Sequence, residues 1–148
     1  MSETLGFLLG DTARMFRRAF NARTRDSGIT AVQSRVLTYV LRQPGIRQGP
    51  LAELIEVEPI TLSRLIDRLE EAGLVERRAD PTDRRAWRLH LTAAAEPLLD
   101  GLRRTAQDVI DEATEGMTDA ERDQLSQLVE RVRANLSRRE CQNEKEKC

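Results

Sequence analysis

The run Pro59-Ile60-Thr61-Leu62-Ser63-Arg64-Leu65-Ile66-Asp67-Arg68-Leu69-Glu70-Glu71-Ala72-Gly73-Leu74-Val75-Glu76-Arg77 changes its hydrophobic period in mid-course. Up to Gly73 the apolar residues Leu62, Leu65, Ile66 and Leu69 fall three and four apart, which is the buried stripe of an amphipathic helix. Pro59 suits the first helical position, because its missing N–H has no partner there in any case. Gly73 supplies the left-handed stop, while Glu58 is a poor N-cap. After Gly73 the period drops to that of a strand: Leu74 and Val75 begin one, and Trp87, Leu89 and Leu91 alternate with Arg88 and His90 in a second. Between them the polar stretch from Arg78 to Arg85 is too long for a two-residue turn, so the pair is a hairpin with an extended, charged tip.

Upstream, Gln48 to Ile55 fits a short helix with Leu51, Leu54 and Ile55 inward, and Glu56 to Glu58 form a tight break. A short helix, a three-residue break, a second helix and a basic-tipped hairpin make a winged helix-turn-helix, a motif whose second helix enters the DNA major groove. Farther out, Val32, Val36, Leu37, Val40 and Leu41 stripe a helix that opens with a Thr30–Gln33 capping box and ends at Pro44-Gly45. Leu5, Leu8, Leu9, Ala13, Phe16, Ala19 and Phe20 stripe a first helix from about residue 5 to 26. On the other side, Thr92 can cap a fifth helix carrying Leu98, Leu99, Leu102, Ala106, Val109, Ile110 and Ala113. Pro97 requires that helix either to start late or to bend near residue 97. Gly116 ends it. Thr118 and Glu121 form another capping box, before Leu125, Leu128, Val129, Val132 and Leu136. The segment from Ser137 to Cys148 has no apolar period and is expected to fray.

The expected fold is therefore mainly α with a small β-hairpin wing, one domain over 1–148. A winged helix-turn-helix DNA-binding region occupies 30–92, a helical dimerisation region 5–26 and 93–138, and a polar flexible tail 139–148. A chain of 148 residues with 39% hydrophobic side chains can support a core without a disulfide or metal.

Composition removes several classes of chemistry. Only Lys145 and Lys147 are lysines, leaving 22 arginines among 24 basic residues. A phosphate-binding P-loop or a Schiff-base enzyme, each needing a lysine, cannot be built from the first 144 positions. His90 is the single histidine, and Cys141 and Cys148 lie in the polar tail, so neither zinc spacing nor a Cys–His couple is present. No cofactor, metal or catalytic group is expected, and the chain is not read as an enzyme. The absence of a long apolar run or a basic-then-apolar N-terminus argues against a membrane partner and for a cytoplasmic location. With net charge −1, any DNA surface must come from placement rather than a global positive field.

The segments Gln48–Ile55 and Thr61–Arg77 resemble the multiple-antibiotic-resistance regulator (MarR) family. Asp83-Arg84-Arg85-Ala86-Trp87-Arg88-Leu89-His90-Leu91-Thr92 matches its D-x-R-A/S-x-x-V/L-x-L-T signature at each fixed position. The close match covers about residues 30 to 100. Ala95 departs from the family's usual glycine. The resemblance implies a homodimeric repressor whose first, fifth and sixth helices join two subunits. It would bind double-stranded DNA with a pseudo-palindromic operator and be released by a small aromatic acid or phenolic effector.

The residues assigned to DNA are Thr61, Ser63, Arg64 and Arg68 on the outward helix face, and Arg84 and Arg85 on the wing. Short hydroxyls and forked guanidiniums suit phosphates and base edges. Arg68 has Glu70 and Glu71 as competing partners on its own helix. Asp83 is expected to orient Arg85 by a carboxylate–guanidinium pair. Trp87 is expected in the core and His90 at the surface. Effector candidates are Arg14, Arg17 and Arg18, as cationic forks for a carboxylate, with Tyr39 and Trp87 as aromatic walls. An alternative from another class is redox sensing through Cys141 and Cys148.

Overall fold

The computed structural model describes the backbone of residues 2–145 and the side chains of residues 4–139. Helix α1 spans Ser2–Arg23, α2 Ala31–Arg42, α3 Gln48–Leu54, α4 Pro59–Glu71, α5 Glu96–Ala113 and α6 Asp119–Lys145. Strands β1 (Ile46–Arg47), β2 (Val75–Ala79) and β3 (Trp87–Leu91) form one antiparallel sheet in the order β1-β3-β2. The architecture is the expected one, mainly helical with a winged helix-turn-helix. The chain forms two compact units, residues 1–109 and 110–148.

In the first unit the expected boundaries follow from caps. Thr30 and Gln33 make the reciprocal capping box: the Gln33 N–H donates to Thr30 Oγ1 at 3.2 Å and the Thr30 N–H to Gln33 Oε1 at 2.8 Å. Pro59 occupies the first turn of α4, where Glu58 provides no side-chain cap. Pro97 is accommodated by a late start. A short 3-10 turn over Ala93–Ala95 precedes α5, so the proline falls in the first turn of the helix, where its lost donor costs nothing. Thr92 therefore does not cap α5, and its hydroxyl donates to the Gly73 carbonyl instead.

The hairpin becomes three-stranded because Ile46 and Arg47 pair with Leu89 and Arg88 of β3. The β2–β3 register runs from Val75↔Leu91 to Ala79↔Trp87. Beneath the sheet, Val36, Leu37, Val40, Leu51, Ile55, Leu62, Ile66, Leu69, Val75, Leu89 and Leu99 form one buried cluster, each at most 2% exposed. The inward stripe of α3 is corrected at one position: Leu54, expected inside, is 42% exposed, and Ala52 is buried with Leu51.

In the second unit the Thr118–Glu121 box opens α6, and its hydrogen bonds hold the Glu121 carboxyl below its usual range. At the preceding corner Arg122 donates to the Thr114 carbonyl at 3.3 Å and lies 3.4 Å from Asp111. The segment expected to fray from Ser137 is helical as far as Lys145. It contains no Gly or Pro, and Arg and Glu are good helix formers that need no apolar stripe to stay helical. Residues 146–148 lie outside the described residues, as do the side chains of Cys141 and Cys148.

Candidate nucleic-acid interface

The inward face of α4 is fixed by Leu62, Ile66 and Leu69, which leaves Thr61, Arg64 and Arg68 exposed on the other side and Ser63 half-buried at the flank. Ile60, which lies off the apolar stripe and which the sequence reading passed over, is 65% exposed on the first turn. Two devices set the angle at which α4 leaves α3. Glu56 takes a left-handed backbone conformation, φ 55°, in the break. Arg35 reaches across from α2, and its Nη2 donates to the Ile55 carbonyl at 2.9 Å, satisfying an acceptor that the end of α3 would otherwise leave open.

Charge on this face is decided by pairing rather than by the sum. Arg77 on β2, only 18% exposed, lies 2.6 Å from Asp67, pairs with Glu70 and donates to Gln48 Oε1 at 3.2 Å. Arg78 pairs with Glu76. Three acids near α4 are thereby engaged by two arginines of β2. Glu70 is taken by Arg77, not by Arg68. Among the described residues, Arg64, Arg68, Arg84 and Arg85 take part in no ion pair. A near-neutral segment so presents four uncommitted guanidiniums, the donor set that suits phosphates and the O6 and N7 edges of guanine.

The wing is organised around Asp80, which the sequence reading did not single out. Its carboxylate is buried, with Oδ2 accepting from Arg88 Nε at 2.8 Å and from Arg47 Nε at 2.9 Å. Oδ1 accepts from the Thr82 N–H at 2.9 Å and hydroxyl at 2.7 Å, and from the Asp83 N–H at 3.2 Å. The Arg88 guanidinium first, then the Thr82 bonds and Arg47, hold the Asp80 carboxyl far below the usual carboxylate range, against the opposing effect of desolvation. Arg47 and Arg88 are cross-strand neighbours, so one carboxylate ties β1, β3 and the loop together.

Asp83 has a different part from the one expected. Its Oδ1 accepts the Arg85 backbone N–H at 3.0 Å, and its carbonyl accepts the Ala86 N–H at 3.1 Å. It shapes the turn that carries Arg85 and leaves the guanidinium uncommitted. Trp87 also departs from expectation: it shares a strand face with Leu89 and Leu91 but stands at the tip, past the end of β1, and is 50% exposed. Periodicity gave its face and not its depth. His90 is half-buried, its ring near Gly45, whose φ of +84° favours glycine.

The effector candidates are not joined by any hydrogen bond or ion pair among the described residues. Arg14 is 2.5 Å from Asp11 on its own helix, Arg17 and Arg18 are exposed on α1, and Tyr39 packs against the winged core. The cavity between α3 and α4, about 350 Å³, is lined by Gly49, Ala52, Glu53, Glu56, Val57, Glu58 and Pro59 and includes none of them. No cluster of three or more potential metal ligands occurs among the described residues, and no described helix is long and apolar enough to cross a membrane.

The sequence profile of the MarR family matches residues 27–86. Over 88% of this chain and 87% of its own length, the uncharacterized helix-turn-helix-type transcriptional regulator YybA of Bacillus subtilis is 31% identical. A transcriptional regulatory protein assigned to the hcr operon of Thauera aromatica is 33% identical over 89% of this chain and 80% of its own. The crystal structure of wild-type MarR from E. coli in its apo form superposes with a TM-score of 0.74 at 29% identity, covering 86% of this chain and 96% of the other.

Proposed function

The chain belongs to the MarR family of transcriptional regulators, and on that premise we propose that it is a homodimeric repressor that binds a pseudo-palindromic operator. Helix α4 lies in the major groove and the wing reaches the adjacent minor groove. The observation that carries this reading is the set of four unpaired guanidiniums, Arg64, Arg68, Arg84 and Arg85, on one segment in which Asp67, Glu70, Glu76 and Asp80 are paired with other arginines. Thr61 and Ser63 add short hydroxyl donors beside Arg64. Asp83 shapes the turn under Arg85, and a narrow A·T-rich minor groove attracts such an arginine without a base-specific bond.

Support for the dimer comes from apolar surface that each unit leaves open. On α1, Leu5, Phe7, Leu8 and Met15 are each more than half exposed, and on α6 Leu125, Leu128, Val129, Val132 and Leu136 form an exposed stripe at helical spacing. A two-fold dimer would set two copies of α4 about 34 Å apart, one turn of DNA. The domain assignment follows: 30–92 reads DNA, while 5–26 and 93–138 dimerise. Release by a small aromatic acid or phenol completes the reading on the family resemblance, with α1 arginines Arg17 and Arg18 as the cationic groups for a carboxylate.

The test is selection of duplexes from a random pool, followed by gel shifts with and without benzoate-type acids and phenols. An enriched inverted repeat, bound at two half-sites and released by one of those compounds, is the expected result. Arg85→Ala should lower the salt dependence of binding by about one phosphate contact. Failure to enrich any duplex overturns the reading.

A further inference from the structure

We propose that Ile60 is a specificity-determining residue, packing against the 5-methyl group of a thymine in the major groove. The proposal rests on the DNA-binding reading of α4 and adds a base-class preference to it. Ile60 is 65% exposed, the second residue of α4. Positions 60 and 64 are one helical turn apart, so Ile60 stands on the face of Arg64, one turn nearer the N-terminus, with exposed Thr61 beside it.

Within residues 30–92 the large apolar side chains left exposed are Leu54, Ile60 and Trp87, while the buried aliphatics of that region form the core. A single exposed aliphatic is ordinary on a protein surface. Here, however, it occupies the end of the helix that meets base edges in helix-turn-helix complexes. Of the groups a base pair displays in the major groove, the thymine methyl is the apolar one. Covering both apolar surfaces at once removes them from water. A β-branched side chain in a helix already holds one dominant rotamer, so little freedom is lost on contact. Ile60 also carries no charge. Its contribution should therefore depend on sequence and not on salt, the opposite of an arginine that neutralises a phosphate.

The experiment uses the full chain and a duplex enriched by it from a random pool. Each thymine of one half-site is replaced in turn by deoxyuridine, which deletes the methyl and keeps the Watson–Crick edge. Binding of wild type, Ile60→Ala and Ile60→Val is measured at several salt concentrations, with circular dichroism as the check on folding. Loss of one buried methyl predicts about a four-fold weakening of wild type at one thymine position. Ile60→Ala should bind the unmodified duplex more weakly, show no further loss at that position and keep the wild-type salt slope. Ile60→Val should stay close to wild type in its response. Indifference of wild type to every deoxyuridine, an equal response of Ile60→Ala and wild type at the sensitive thymine, or a changed salt slope in Ile60→Ala would overturn the proposal while leaving the DNA-binding reading intact. If no duplex is enriched, that reading fails first and the proposal with it.

Discussion

Arg64 and Asp80 illustrate two opposite uses of charge in one small region. The Arg64 guanidinium is uncommitted, so its free energy is available to a partner. Arg64→Ala should cost about 1–3 kcal/mol of operator binding where it grips a base edge, and much less on random DNA. Equal losses on both, measured by titration at fixed salt, would place it on a phosphate instead. Asp80 is fully committed, and its effect is internal. Its folded-state pKa lies below the ordinary value of 3.8. The carboxylate's contribution to stability is thus complete above that value and is lost as the pH falls through it toward the lower folded pKa. Thermal unfolding followed from about pH 6 down to pH 2 should show wild type more stable than Asp80→Asn at the upper end and the gap narrowing below about pH 4. A gap that stays constant with pH would mean that the carboxylate's charge is not what holds the wing.

At the level of elements, what could be read in advance depended on whether a signal was local. The helices, their capping boxes and the face of α4 follow from spacings within a few residues, and those expectations held. The strand Ile46–Arg47 was missed because two residues carry no period. Asp80 was missed because one of its partners, Arg47, lies 33 positions away, and nothing in the sequence joins them. Trp87 and Leu54 were misplaced because alternation and helical spacing report direction without saying where the core ends. The turn between α3 and α4 is a further case, since nothing in Glu56-Val57-Glu58 announces a left-handed residue. An L-residue at φ 55° is held there against an intrinsic cost of roughly 1–2 kcal/mol, offset in part by the extra freedom that glycine has in the unfolded chain. Glu56→Gly should accordingly raise the stability by up to about 1 kcal/mol, and urea titration would show it as a higher midpoint. A loss of stability would mean that the Glu56 side chain makes up for the strain.

For the whole molecule, the decisive quantity is how much apolar surface each compact unit leaves uncovered. The exposed α6 stripe makes Leu128 a useful probe: Leu128→Glu should shift the protein from dimer toward monomer in sedimentation at micromolar concentration and weaken binding to an inverted repeat more than to a single half-site. A wild type that sediments as a monomer and still binds the repeat tightly would remove the shared-interface picture. The bonds of Arg77 have a different consequence, one that concerns how the molecule breathes. By holding Asp67 and Glu70 of α4 and Gln48 of α3 from a strand, this side chain should make α4 and the root of the wing open as one cooperative unit. The tip beyond Ala79 lacks that clasp and is held by the bonds of Asp80 and Asp83. In native-state hydrogen exchange the amides of α4 and β2 should lose protection together, at a higher denaturant concentration than those around Thr82–Arg85. Arg77→Ala should separate the first two, so that α4 opens ahead of the sheet it now shares its fate with.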